Sequence, residues 1–160
     1  MQNTEENQQK FQDVLRELGE QLGIEDLGPG ESGTCTLSLG DNAMVEMEID
    51  TESGDLKFYS EVGTIAEDSA RRWYPHLLAA NCFWSGTQGS TLGMDPQTGG
   101  VFLCHAYPCE LLTGEGLYQR LEIFSNTAMF WGRRLLEEPE ADVSREAFQE
   151  DPLTMMQQRV

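Results

Sequence analysis

The chain has 160 residues, with 28 Asp plus Glu against 10 Lys plus Arg and a formal charge of -18. A hydrophobic content of 39% over one domain's length excludes a wholly disordered acidic chain. The excess of acid excludes nucleic acid and anionic membrane as first-choice partners, since both are bound through Lys and Arg.

Phe11, Val14, Leu15, Leu18 and Leu22 lie on one stripe at helical spacing, with Asn3 as cap and Glu5 and Glu6 in the first turn. Gly23 should end this helix, with Ile24 packing back on its last turn, and Gly28-Pro29-Gly30 breaks the chain. From Thr34 the period becomes two. Cys35, Leu37 and Leu39, then Val45, Met47 and Ile49, then Leu56, Phe58, Ser60 and Val62 form the inward sets of three strands. Turns at Asp41-Asn42 and Glu52–Asp55 join them into an antiparallel meander. A second helix is predicted over 69–83, with a kink or late start at Pro75.

Strands over 89–94 and 101–107 flank a turn at Asp95–Gly100, closed by a left-handed residue. Leu117, Leu121, Phe124, Ala128, Trp131 and Leu135 then mark one face of a long helix ending near Arg133-Arg134. The expected fold is α+β: helix, three-stranded antiparallel meander, helix, β-hairpin, helix. Residues 1–137 form a single domain. Residues 138–160, acidic and carrying Pro139 and Pro152, read as a mobile tail. Charge follows these divisions: -11 over 1–60, -2 over 61–136 and -5 over 137–160. No apolar run exceeds four residues, so a membrane span and a signal segment are not expected and the predicted location is cytoplasmic.

Catalytic and metal motifs are weak. The glycines of Gly86–Gly93 match neither phosphate-loop nor dinucleotide spacing, and the bland reading is a flexible start to a strand. Ser90 has no nucleophile elbow, because position 88 is Gln. Cys104, His105, Cys109, Cys82 and His76 could supply zinc ligands, but adjacent Cys104 and His105 point to opposite strand faces. Cys104 is assigned to the core and His105 to solvent or a subunit contact. The four cysteines lack CxxC spacing and read as buried reduced thiols. Glu46 and Glu48 share a strand face that solvation explains as well as acid–base chemistry. No catalytic residue, metal or cofactor is expected.

Apolar residues in outward phase are the unusual feature. Met44 and Tyr59 face away from the predicted core, and Trp73, Tyr74, Phe83 and Trp84 make the second helix aromatic on more than one side. Either the core is thicker than one layer, or these residues form a dimer interface and a groove for another polypeptide.

Leu77-Leu78-Ala79-Ala80-Asn81, Gly86-Thr87, Gly89, Thr91–Asp95, Thr98-Gly99 and Val101-Phe102-Leu103 together resemble the central signature of the class I type III secretion chaperones, the Tir-chaperone (CesT) family. The first helix, ending Leu18-Gly19 through Ile24, and the last, with Leu121, Phe124 and Trp131, look similar too; the resemblance covers about residues 10–136. It implies a cytoplasmic homodimer without catalysis or cofactor. Such a protein binds an extended segment near the N-terminus of a secreted effector and keeps it non-globular for export. It further implies a dimer seam through Leu77, Leu78, Asn81, Phe83 and Trp84, to which aromatic Trp73 is added. Client-binding candidates are Phe11, Val14, Leu15, Leu18, Met44 and Tyr59, with an edge strand accepting the client backbone. Pro75 departs from the family's second helix, and the acidic tail has no match; it could shield the groove, contact the export ATPase, or do nothing. The alternative is a regulator of the same fold that sequesters another small secretion protein.

Overall fold

The computed structural model describes residues 2–39, 43–137 and 139, with backbone alone at 2–4, 39 and 43. Helix α1 (Gln2–Leu22) buries Phe11, Val14, Leu15 and Leu18, none more than 2% exposed, along the stripe that lays a helix on a core. It already runs from Gln2, so Asn3 lies inside it rather than at its cap. At the far end Gly23 takes φ 69 and the Ile24 amide donates to the Gly19 carbonyl, the left-handed closure that glycine adopts cheaply.

Strands β1 (Cys35–Leu39), β2 (Ala43–Ile49), β3 (Asp55–Thr64), β4 (Thr91–Met94) and β5 (Gly100–Pro108) form one sheet in the order β1-β2-β3-β5-β4. Every neighbouring pair is antiparallel. The long β3–β5 pair thus fuses meander and hairpin, a union that element order alone does not specify. The Asp41-Asn42 turn and the tail over 138–160, Pro139 excepted, lie outside the described residues. The Asp95 turn is tied by its own side chain, which accepts from the Gln97 amide at 2.9 Å and the Thr98 hydroxyl at 2.9 Å, and Gly99 closes it at φ 74.

Val45, Met47, Leu56, Phe58, Val101 and Leu103 are buried on the inner face of the sheet. There α1 and helix α3 (Gly114–Arg134) cover them, and Phe58 meets Phe124 edge-on at 5.0 Å. Truncating either ring to Ala would cost about 3–5 kcal/mol. The helices also meet end to side. Glu17 Oε2 accepts from the Gly114 amide at 2.7 Å, placing a carboxylate on the N-terminus of α3, where the helix dipole favours it.

Helix α2 (Ala70–Asn81) runs without interruption through Pro75, so no late start occurs. Pro75 lies on the exposed side, where the carbonyl that loses its amide partner can turn to water. The segment after α2 is not a loose connection. Thr87 and Ser90 are buried, the Gly86 amide donates to the Ala80 carbonyl at 3.0 Å, and Trp131 Nε1 donates to the Gly86 carbonyl at 2.9 Å. Any side chain at 86 would collide with Ala80, which explains that glycine.

Strand β5 corrects one assignment. Pairing of Phe58 with His105 and Tyr59 with Cys104 puts His105 on the inner face and exposes Cys104. The His105 ring packs 4.9 Å from Phe58, and burial and the Arg120 charge lower its pKa. Cys82 is exposed as well, so only Cys35 and Cys109 fit the expectation of buried thiols; all four are free.

Candidate polypeptide-binding surface

The helices leave the opposite face of the sheet open. Strand alternation sends Met44, Glu46 and Glu48 of β2, Lys57, Tyr59 and Glu61 of β3, and Phe102 and Cys104 of β5 outward, all exposed or half-buried. A trough of about 440 Å³ crosses this face, lined by Met44, Tyr59 and Phe102 interleaved with Glu46, opposite Tyr59, and Glu61, opposite Phe102. Beside it β3 shifts register between Glu61 and Gly63, a bulge that bends the strand locally.

Electrostatically the face is acidic. Burial, a hydrogen bond to the Glu46 carboxylate and the charges of Glu48 and Glu46 push the Tyr59 phenol up to about 12. The face's one lysine is engaged, with Lys57 Nζ 2.6 Å from Asp50 Oδ2. That bond, followed by the Glu52 amide, holds the Asp50 carboxyl at about 2.

Of the six client-binding candidates, Met44 and Tyr59 stand together on this face. Phe11, Val14, Leu15 and Leu18 are corrected: all four are buried in the protomer's own core rather than laid out on a surface. Leu18 also lines a smaller cleft of about 220 Å³ between α1 and α3, together with Leu22, Tyr118 and Met129. Phe102, Glu46 and Glu61 complete the trough. Phe102 was hidden because it sits inside the apolar run Val101–Cys104, whose phase appears only once β5 is paired.

The dimer-seam candidates also divide. Trp73 and Leu77 are buried within the protomer, and Trp73 has the Arg134 guanidinium 5.2 Å from its ring. Asn81 spends its carboxamide on the backbone of Leu92. Leu78 (70% exposed), Phe83 (88%) and Trp84 (56%) form a protruding apolar ridge at the end of α2. Phe83 and Trp84 both take left-handed backbone angles, φ 53 and 54, a conformation that costs about 1–3 kcal/mol per residue for such side chains.

Among the described residues, no group of three or more His, Cys, Asp or Glu could hold a metal ion. Within the same residues, no helix is long and apolar enough to cross a membrane.

This arrangement of three helices and a five-stranded antiparallel sheet recurs in known proteins. The chain belongs to the Tir chaperone protein (CesT) family, whose model matches residues 13–132. That is a family of chaperones rather than a class of enzymes. No curated protein matches the chain by sequence. Among solved structures, the HopA1–SchA chaperone–effector complex contains a similar chain at TM-score 0.66 and 17% identity, covering 79% of this chain and 95% of that one. The ExsC–ExsE complex gives TM-score 0.64 and 23% identity over 87% of this chain and 98% of the other. The Yersinia pestis type III secretion chaperone SycH, bound to a fragment of YscM2, gives 0.61 and 16% over 76% and 98%. At these identities the likeness is one of fold.

Proposed function

We propose that this chain is a cytoplasmic, homodimeric chaperone that binds the N-terminal segment of a type III secreted effector and keeps it non-globular for export. Family membership supports the class, and similar folds occur in the HopA1–SchA complex and in the type III chaperone SycH. The observation that carries the reading is the open outer face of the sheet, with Met44, Tyr59 and Phe102 in a trough broad enough for a client side chain. Among the described residues nothing covers this face, and an exposed apolar patch of this kind marks a site for another chain.

The sheet's edges suggest how the client backbone enters. Both β1 and β4 have a strand neighbour on one side only, but the Leu92 amide and carbonyl of β4 are taken by Asn81. A client strand would therefore add to β1, next to the outer trough. The ridge of Leu78, Phe83 and Trp84 would form the seam between protomers. Co-expression with proteins encoded nearby tests the proposal: recovery of an assembly of two copies with one protease-sensitive client supports it. A chain that stays monomeric and captures no polypeptide refutes it.

A further inference from the structure

The lining of the outer trough interleaves apolar side chains with carboxylates, and that pairing restricts what it can hold. Met44, Tyr59 and Phe102 offer a flexible thioether and two rings, suited to a large apolar side chain. Glu46 and Glu61 border the same space, and Glu48 stands one outward position along β2. The face's lysine, Lys57, is already bound to Asp50. Glu48 stands opposite Lys57, so an occupant meets chiefly the carboxylates of Glu46 and Glu61, and among the described residues the trough's lining holds no cation.

We infer that the trough selects client segments in which a large apolar residue is flanked by Lys or Arg. This inference rests on the chaperone reading above and narrows it to a chemical class of client. A second copy of the chain is the poorer occupant. Contact across a two-fold axis presents the same patch to itself and would set Glu46, Glu48 and Glu61 against their equivalents. A client with basic flanks instead neutralises these charges, gaining specificity and faster encounter from complementary fields. The net -11 over residues 1–60, which hold α1, β1, β2 and most of β3, extends the attraction beyond the trough itself.

The test uses the full-length chain and a phage-displayed library of random short peptides, followed by fluorescence anisotropy on a selected peptide. Enriched peptides should carry an aromatic or aliphatic residue flanked by Lys or Arg. Their affinity should fall about tenfold in an E46Q/E48Q/E61Q variant, and added salt should weaken binding to wild type more than to the variant. The amides keep size and polarity, so an unchanged circular dichroism spectrum separates lost binding from lost fold. Enrichment of neutral or acidic peptides, or equal affinity for the triple variant, overturns the inference. So does a Met44→Asp chain that loses its dimer, since the face would then be a subunit contact. If the triple variant still captures a natural client as well as wild type, this inference fails and the chaperone reading stands. If wild type captures neither peptide nor client, both fail.

Discussion

The Asn81 carboxamide pairs with both backbone groups of Leu92: Nδ2 donates to the Leu92 carbonyl at 2.9 Å, and Oδ1 accepts from the Leu92 amide at 2.8 Å. One side chain thus imitates one residue of a further strand on the outer edge of β4. Unpaired strand edges invite association, and this contact closes one at the point where α2 ends. Asn81→Ala should lower unfolding stability by about 2 kcal/mol, because two partly buried backbone groups lose their partner. Asn81→Asp should cost a similar amount, since its carboxylate would face the Leu92 carbonyl oxygen. Urea denaturation of the three proteins checks both.

Leu78 and Phe83 project from the α2 ridge without a partner in the protomer core. Replacing both by Asp should leave the circular dichroism spectrum unchanged and convert a dimer to a monomer in light scattering. The same pair of charges placed at Trp73 and Leu77 should instead unfold the chain, because those side chains are buried within it.

Thr87 is fully buried, and its hydroxyl has no hydrogen-bond partner among the described residues. A buried hydroxyl without a partner carries an uncompensated desolvation cost of about 1–3 kcal/mol. Thr87→Val keeps the shape and removes that group, so it should raise stability by about 1 kcal/mol. A rise in the thermal midpoint would show it.

Asp50 is held at about 2, below its ordinary 3.8, first by Lys57 and then by the Glu52 amide. A lowered carboxyl pKa contributes stability that is whole above the unfolded value and is lost as pH falls through the folded one. Lys57 is raised by the same bond, so on the alkaline side the contribution is whole below 10.5 and is lost as pH rises through the folded value. Asp50→Asn should therefore lower the denaturation midpoint at neutral pH. It should converge with wild type as pH drops from 3.8 towards about 2.

Much of this was visible in the residues, and the gaps have physical causes. The alternation of Leu56, Phe58, Ser60 and Val62 states which face of β3 is buried, so Met44 and Tyr59 could be placed outward on neighbouring strands. The stripe of Phe11, Val14, Leu15 and Leu18 says that something covers that side of α1. It does not say whether the cover is the protein's own fold or a client, and α3 together with the sheet proves to be the answer. In Val101–Cys104 four apolar residues in a row erase the period, which reversed the facing of Cys104 and His105 and hid Phe102. The left-handed backbone of Phe83 and Trp84 has no sequence signature, because neither residue favours it.

The central claim is that the outer face of the sheet holds an unfolded client while a different surface holds the dimer. Native mass spectrometry of the chain co-expressed with its client tests this most directly, comparing wild type with the Met44→Asp, Tyr59→Asp double variant. Wild type should give two copies with one client, and the variant an intact, empty dimer. A variant that keeps its client, or one that falls to monomers, would contradict it.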